Sequence, residues 1–182
     1  MSPTKSFVLR SLYSESQIRT RIEDLVKEIM SSCVCREWIV IGLLKGSFMF
    51  LADLARQFYY NDIPIIIDFM GVSSYGSGTN SSGQLKLTSE IAHDIQNQNV
   101  LLVDDILDTG RTLKYTYNIL LEREPALMKT CVLLDKPERR IVPFQADYVG
   151  FTIPNHFVAG YGLDYDGRYR ERPDISILSF EK

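Results

Sequence analysis

The chain of 182 residues is long enough for one well-buried domain and short for two. Its 45% hydrophobic and 24% charged residues are ordinary for a globular protein, and its formal net charge of −3 provides no electrostatic attraction for nucleic acid. We therefore expect no nucleic-acid partner. We also expect no membrane partner, because the chain has no apolar run near the ~20 residues that span a bilayer.

The cysteines and histidines show no pattern of a structural metal or disulfide site. The three cysteines, Cys33, Cys35 and Cys131, are too few and odd in number for a disulfide framework. Cys33 and Cys35 are spaced like half of a metal site, but no Cys/His cluster completes it. His93 and His156 are expected at surface or loop positions. The amino terminus lacks the apolar segment of a signal peptide, so we expect a cytoplasmic location.

The first part of the chain alternates between helical and strand patterns. Residues 14–17 have the spacing of a capping box, and apolar residues recur at helical intervals as far as residue 29. The apolar run over residues 38–44 predicts a buried strand. Residues 48–58 then predict a second helix.

The next segment combines two strand patterns with an unusual loop. Residues 65–72 predict a strand, and residues 85–87 predict a short return strand. Between them, residues 73–84 are rich in glycine and serine and contain no aliphatic side chain. A long loop of this composition inside a domain is usually functional or disordered.

The middle of the chain carries the main candidate site. Residues 100–103 form an apolar run typical of a parallel strand buried on both faces. The strand is predicted to end at Asp104 and Asp105, and Asp108 follows in a small-residue loop before a helix that reaches about residue 123. The junction of a strand and a helix exposes backbone N–H groups that bind anions. With three carboxylates beside it, the loop is expected to bind a phosphate whose carrier also presents hydroxyls, a metal ion or a proton to be removed.

A strand over residues 129–135 follows, and the last third of the chain is strand-like and rich in turns. This alternation predicts an α/β fold: a doubly wound, mostly parallel sheet with helices on both faces, and a small β-rich hood from the last third. Residues 1–182 are predicted to form a single domain. Ligands of such sheets bind at the carboxyl ends of strands, where Lys45, Asp104 and Lys136 are expected to meet.

Five ordered motifs resemble one known family. Residues 100–113, V-L-L-V-D-D-I-L-D-T-G-R-T-L, contain neither a Walker A loop nor a dinucleotide-binding G-x-G-x-x-G turn, and resemble the phosphoribosyl-pyrophosphate motif of type I phosphoribosyltransferases. Four further stretches resemble the hypoxanthine-guanine phosphoribosyltransferases, in their compact bacterial form. These are G-L-L-K-G-S-F-M-F (42–50), D-F-M-G-V-S-S-Y-G (68–76), L-L-D-K-P-E-R-R (133–140) and V-A-G-Y-G-L-D-Y-D-G-R-Y-R (158–170).

The resemblance implies a purine-salvage enzyme. It implies transfer of 5-phosphoribosyl from phosphoribosyl pyrophosphate to N9 of hypoxanthine or guanine, with Mg²⁺ as cofactor and a homodimer or homotetramer as the assembly. The implied residue roles, carried over motif by motif, are Asp108 as the catalytic general base; Asp104, Asp105, Asp108, Thr109, Gly110, Arg111 and Thr112 for the ribose and 5′-phosphate; Lys45, Gly46 and Arg170 for pyrophosphate; Lys136, Phe157, Val158 and Asp164 for the purine; Asp104, Asp105 and Asp164 for the metal; and Ser74 and Tyr75 as a lid.

Elementary chemistry agrees with these implied roles. A cationic donor at Lys136 favours the 6-oxo group of a purine over the amino group of adenine, which would leave the lysine unpaired. Cationic side chains suit a leaving group that gains charge, and a lid excludes water from an oxocarbenium-like ribose. The family also has a cis peptide bond before the residue that Lys45 matches.

Two other functions compete with the purine enzyme. A nucleotide-sensing, RNA-binding regulator on the same fold also carries an Asp-Asp pair and a T-G-R-T run, but Asp108, Lys136 and the acidic net charge favour the enzyme. A transferase for another base is disfavoured by Lys136 and Phe157. One departure is that many relatives have Glu-Asp where this chain has Asp104 and Asp105.

Overall fold

The computed structural model describes residues 6–32, 37–74 and 85–180, which form two sheets and three α-helices. In chain order the elements are β1 (Phe7–Tyr13), α1 (Glu15–Ser32), β2 (Trp38–Leu44), α2 (Phe48–Tyr60), β3 (Ile65–Ser74), β4 (Leu85–Ser89), β5 (Asn99–Leu107), α3 (Arg111–Leu121), β6 (Leu127–Asp135), a 3-10 turn (Pro137–Arg139), β7 (Tyr148–Thr152), β8 (Val158–Ala159) and β9 (Ile175–Phe180). Within these ranges no helix is both long and apolar enough to cross a membrane.

The larger sheet has six strands in the order β4-β3-β2-β5-β6-β7. Its strands run parallel except for the edge strand β4, which pairs antiparallel with β3. From β2 the chain builds outward to β3 on one side, and from β5 it builds outward to β6 on the other. The carboxyl ends of β2 and β5 therefore border a topological switch point, where such sheets form a ligand crevice.

Helices cover both faces of this sheet, as the sequence predicts. Leu101 and Val103 of β5 point into a core shared with α1 and α2, whereas Val100 and Leu102 point into a second core shared with α3. Successive side chains of a strand face opposite sides. Burial on both faces therefore explains why the run that predicted this strand is continuously apolar.

The smaller sheet has the antiparallel strand order β1-β9-β8. We call this sheet, together with residues 153–157 and 160–174 on either side of β8, the hood. The predicted β-rich hood is confirmed, but the strands that form it differ from the prediction in two respects. Strand β7 joins the larger sheet beside β6, and the unpredicted strand β1 joins the hood. Strand β1 pairs with β9, at the opposite end of the chain, so no local sequence pattern predicts this pairing.

Several predicted boundaries also change. The capping box at residue 14 is confirmed, since the Ser14 amide donates to the Gln17 side chain at 2.9 Å and the Gln17 amide to Ser14 Oγ at 3.4 Å. Strand β5 does not end at Asp104 but continues to Leu107, because its ladder with β6 runs on from Asp104–Val132 to Leu107–Asp135. Helix α3 ends at Leu121, two residues before the predicted end near residue 123.

Candidate active site

A pocket of about 350 Å³ opens at the carboxyl ends of β2 and β5 and the start of α3. Its lining combines the two strand ends with the loop between β5 and α3: Leu43, Leu44, Gly46, Val72, residues 104–110, Thr112 and Leu113. The structure thus brings together the acidic residues and most of the loop that the sequence singles out.

The loop of Asp108, Thr109 and Gly110 leads into α3, which begins at Arg111. Backbone N–H groups in the first turn of a helix lack partners inside the helix and favour an anion. Gly110 adopts φ 82°, and a Cβ at this position would lie 2.7 Å from the carbonyl oxygen of Val142. Glycine is therefore required both for the backbone conformation and for the close approach.

Arg140, which the sequence analysis missed, holds this loop from behind. Its guanidinium donates to the carbonyls of Leu107, at 3.0 Å, and Asp108, and it forms a largely buried ion pair with Asp135. The amides of the next two residues both donate to the carbonyl of Thr109 at 3.0 Å. The segment after β6 therefore fixes the anion loop through the carbonyl groups of the loop, and these contacts do not use the loop N–H groups.

Asp104 and Asp105 lie side by side in the last part of β5 and are 7% and 9% exposed. Burial, together with the neighbouring Asp105 carboxylate, raises the pKa of Asp104 well above its ordinary value. Burial also raises the pKa of Asp105, with the Arg170 guanidinium acting in the opposite direction. Burial thus opposes ionisation of this acid pair, and a cation or hydroxyl donors would stabilise its charged form.

The loop after β2 packs directly against this acid pair. The peptide bond between Leu44 and Lys45 is cis, as the family resemblance implies. A Cβ at Gly46 would lie 1.7 Å from Asp105 Oδ2, and a Cβ at Gly162 of the hood would lie 2.1 Å from the Gly46 carbonyl oxygen. The Lys45–Gly46 loop is therefore held between the acid pair and the hood, with no space for a side chain at residue 46.

Asp164 and Arg170 form an ion pair at 2.7 Å in the turn region of the hood. Asp164 also accepts a hydrogen bond from the Gly167 amide at 2.8 Å, and Arg170 donates to the Gly162 carbonyl. In the described parts of the chain, no three His, Cys, Asp or Glu side chains form a metal-binding group. The predicted metal ligands thus divide into the acid pair and the single carboxylate of Asp164.

This division is compatible with magnesium chemistry. Mg²⁺ prefers oxygen ligands and is commonly bound by one or two carboxylates, waters and substrate phosphates rather than by an all-protein cage. The adjacent, buried carboxyl groups of Asp104 and Asp105 provide oxygen ligands of this kind, and a bound cation would favour their ionised forms.

Lys136 directly follows β6, and its side chain is close enough to Asp108 for their charges to interact. Its amide donates to the Leu107 carbonyl at 3.0 Å, which fixes the residue beside the anion loop. The side chain is buried, and this burial lowers the pKa of Lys136 while the Asp108 carboxylate raises it. Arg139, a second residue that the sequence analysis missed, donates from Nε to Asp108 Oδ1 at 3.1 Å. Asp108 therefore faces two cationic side chains.

Phe157 and Val158 lie at the start of the hood strand β8 and do not line the pocket itself. Phe157 precedes β8 and is 50% exposed, so its ring is accessible to a ligand. Val158 is buried in β8 and pairs with Ile177 of β9.

Seven of the predicted site residues described above surround this pocket without lining it: Lys45, Arg111, Lys136, Phe157, Val158, Asp164 and Arg170. The lid residues and the two histidines also lie outside its lining. Ser74 is the last residue of β3, and the lid residue Tyr75 lies outside the described residues. His93 and His156 are exposed as expected, and His93 Nδ1 lies 2.9 Å from Asp68.

Comparison with known proteins identifies the family. Residues 10–166 match the family model of the phosphoribosyl transferase domain. A hypoxanthine-guanine phosphoribosyltransferase of Aquifex aeolicus is 50% identical over 171 residues, covering 93% of this chain and 94% of that protein. A bifunctional protein TilS/HprT of Listeria innocua is 42% identical over 174 residues, which are 96% of this chain and 26% of that longer protein.

A solved structure agrees with these matches. The chain is similar to a hypoxanthine phosphoribosyl transferase of Trypanosoma cruzi with a TM-score of 0.88 and 46% identity, over 97% of this chain and 94% of that one. The shared fold, the strand-end pocket and the identity over nearly the whole chain lead to one conclusion. The chain belongs to the phosphoribosyltransferase family, in its hypoxanthine-guanine branch.

Proposed function

We propose that the chain is a purine-salvage enzyme that transfers the 5-phosphoribosyl group from phosphoribosyl pyrophosphate to N9 of hypoxanthine or guanine. The products are IMP or GMP and pyrophosphate. The observation that carries the proposal is that a buried acid pair, a helix-start anion loop and a buried lysine converge beside Asp108. The names of the relatives support the same reaction.

The phosphoribosyl group is proposed to bind along β5 and the start of α3. The N–H groups and hydroxyls of residues 108–112 would hold the 5′-phosphate, because a helix start favours an anion. Asp104 and Asp105 would accept hydrogen bonds from the ribose hydroxyls and, with Asp164, would hold Mg²⁺. Bound magnesium would neutralise the charge of the pyrophosphate group.

The purine is proposed to bind between the hood and the segment after β6. The Lys136 ammonium would donate to the 6-oxo group, and the exposed face of Phe157 would stack on the ring. Asp108 would accept the purine proton as N9 attacks C1 of the ribose, with inversion at that carbon. Arg139 contacts the same carboxylate and would orient it toward the base.

The leaving pyrophosphate is proposed to bind to Lys45, Gly46 and Arg170. The positive charges of Lys45 and Arg170 suit the negative charge that develops on the pyrophosphate. Ser74 and Tyr75 would close over the reaction centre and exclude water. The larger sheet and the hood contribute to the same site, so the chain is proposed to act as one catalytic domain.

The assembly is proposed to be a homodimer or homotetramer. Leu44, Phe48, Ile67 and Phe69, four large apolar side chains of β2, α2 and β3, are 38–42% exposed. Ile67 and Phe69 lie two residues apart on β3 and therefore on one face of the strand, and exposed apolar side chains on one face are common at contacts between protein copies. We also propose a cytoplasmic location, where the buried thiol of Cys131 stays reduced.

The direct test is product analysis with the purified full chain, phosphoribosyl pyrophosphate, Mg²⁺ and either hypoxanthine or guanine. The expected result is IMP or GMP formed in a one-to-one ratio with pyrophosphate. Failure to form a nucleotide from either base would overturn the proposal. None of the relatives named above is described as an RNA-binding regulator, and inactivity with both bases combined with RNA binding would favour that alternative.

A further inference from the structure

Five aromatic rings form a continuous cluster in the hood. Tyr165 lies at its centre, with its ring centroid 5.6 Å from Phe157, 5.8 Å from Phe180 and 5.4 Å from Phe7. Phe7 also contacts Phe180, at 6.3 Å, and Tyr169, at 5.9 Å. All five pairs have interplanar angles of 67–87°, the edge-to-face arrangement that aromatic rings favour.

The cluster is anchored by the pairing of the hood strands. Phe7 of β1 is the direct cross-strand partner of Phe180 of β9. The carbonyl of Phe157 accepts a hydrogen bond from the Leu178 amide of β9 at 2.8 Å. Strand β9 therefore fixes the backbone of Phe157, whereas the aromatic cluster contacts its side chain.

Phe157 has one aromatic neighbour within the described ranges, and this neighbour is Tyr165. The Phe157 side chain is half exposed, so one side of its ring contacts Tyr165 and another remains free. A phenylalanine outside a close-packed core has several accessible rotamers. The contact with Tyr165 restricts that freedom and prepares the ring to stack on a flat ligand.

We propose that Tyr165 is a positioning residue for purine binding, which acts by holding the Phe157 ring against the base and is itself held by Phe7 and Phe180. The inference rests on the proposed function and names a determinant of its purine subsite. It also assigns a role in substrate affinity to β1, a strand that contributes no residue to the pocket described above.

The expected size follows from the energy of an aromatic pair. Loss of one edge-to-face contact corresponds to about a 2- to 10-fold change in an equilibrium constant. Tyr165→Leu should therefore raise the KM for hypoxanthine by about that factor. The KM for phosphoribosyl pyrophosphate should stay within about 2-fold of the wild-type value, and Tyr165→Phe, which keeps the ring, should restore the KM for hypoxanthine.

The deciding experiment is a double-mutant cycle with Phe157→Leu. If Tyr165 acts through Phe157, Tyr165→Leu will have no further effect on the KM for hypoxanthine in the Phe157→Leu background. Tyr13→Leu is the matched control, because Tyr13 stacks on Phe151 at 3.9 Å but has no aromatic contact with the cluster. This control should leave the KM for hypoxanthine unchanged.

Three outcomes would overturn the positioning role: a wild-type KM in folded Tyr165→Leu, an equal rise in the KM for phosphoribosyl pyrophosphate, or the same effect with and without Phe157. If Tyr165→Leu does not fold, Phe7→Leu decides, with a smaller rise in the same KM expected and an unchanged KM contradicting the role. A wild-type chain that makes no nucleotide would instead overturn the proposed function, and this inference with it.

Discussion

Replacement of Gly46 by alanine perturbs the contact between the pyrophosphate loop and the acid pair. The added methyl carbon would lie 1.7 Å from Asp105 Oδ2 and 2.4 Å from its Cγ. Favourable contacts between non-bonded heavy atoms lie near 3.5–4.0 Å, so the loop or the carboxylate must move by about 2 Å. The carboxylate is buried, and the hood lies against the other side of the loop at Gly162.

A displacement of this size sets the expected effect. A misplacement of about 1 Å costs about 10²-fold in rate, so kcat/KM for phosphoribosyl pyrophosphate should fall at least ~100-fold. Overpacking a well-packed site costs about 1–3 kcal/mol, which for a chain of this length lowers Tm by roughly 2–12 °C. Activity should therefore fall much more than stability.

The assay is the initial rate of IMP formation at saturating hypoxanthine and varied phosphoribosyl pyrophosphate, with Tm measured by circular dichroism. Gly150→Ala is the matched control, since its Cβ would lie 2.4 Å from the Leu133 carbonyl oxygen and Gly150 does not line the pocket. It should lower Tm and leave kcat/KM within about 3-fold. Wild-type kcat/KM in Gly46→Ala, or an equal loss in both variants, would refute the reasoning.

Three further substitutions address the remaining parts of the site. Asp108→Asn preserves shape but removes the proton acceptor, so kcat should fall about 10²–10⁴-fold with little change in Tm. Lys136→Met removes the donor to the 6-oxo group, so the preference in kcat/KM for hypoxanthine over adenine should fall about 10- to 100-fold. Burial and Asp105 raise the pKa of Asp104, so the native state binds this proton more tightly than the unfolded chain, and stability falls as pH rises through the raised pKa. Asp104→Asn should therefore raise Tm at pH 7, weaken the dependence of Tm on pH and abolish activity.

Each of these expectations has a contrary outcome. A wild-type kcat in Asp108→Asn would exclude this residue as the general base. Equal losses with hypoxanthine and adenine in Lys136→Met would assign the lysine a structural role. The Tm of Asp104→Asn is measured by thermal melting over a range of pH. A Tm below that of the wild type at pH 7 would mean that other contacts of the Asp104 carboxylate outweigh its repulsion by Asp105.

The parallel centre of the fold can be predicted because its signals are local. The apolar run of residues 38–44 predicts β2 at its observed bounds, and the alternating elements predict the doubly wound sheet. Strand β1 cannot be predicted in this way, because its residues are mostly half-exposed or exposed and its partner β9 is at the far end of the chain. The end of β5 is misplaced because carboxylates are depleted in strands, whereas here the ladder with β6 continues past them.

In the candidate site, too, the parts with a local sequence pattern can be predicted and the contacts between separate segments cannot. The acids and the anion loop are contiguous in sequence, so the motif predicts that they meet. Arg139 and Arg140 lie three and four residues after Lys136, yet only the folded chain reveals that they contact Asp108 and its loop. The contact between Gly46 and Gly162 joins two segments more than a hundred residues apart, which no local pattern predicts.

The central claim is that this site transfers phosphoribosyl groups to a 6-oxopurine. A single reaction tests it directly: the purified chain with Mg²⁺, phosphoribosyl pyrophosphate and equal concentrations of hypoxanthine and adenine, followed by separation of the nucleotides formed. We predict that IMP accumulates and that AMP forms at least ~100-fold more slowly, because a buried lysine left unpaired by adenine disfavours that base. AMP formed as fast as IMP, or formed alone, would contradict the claim.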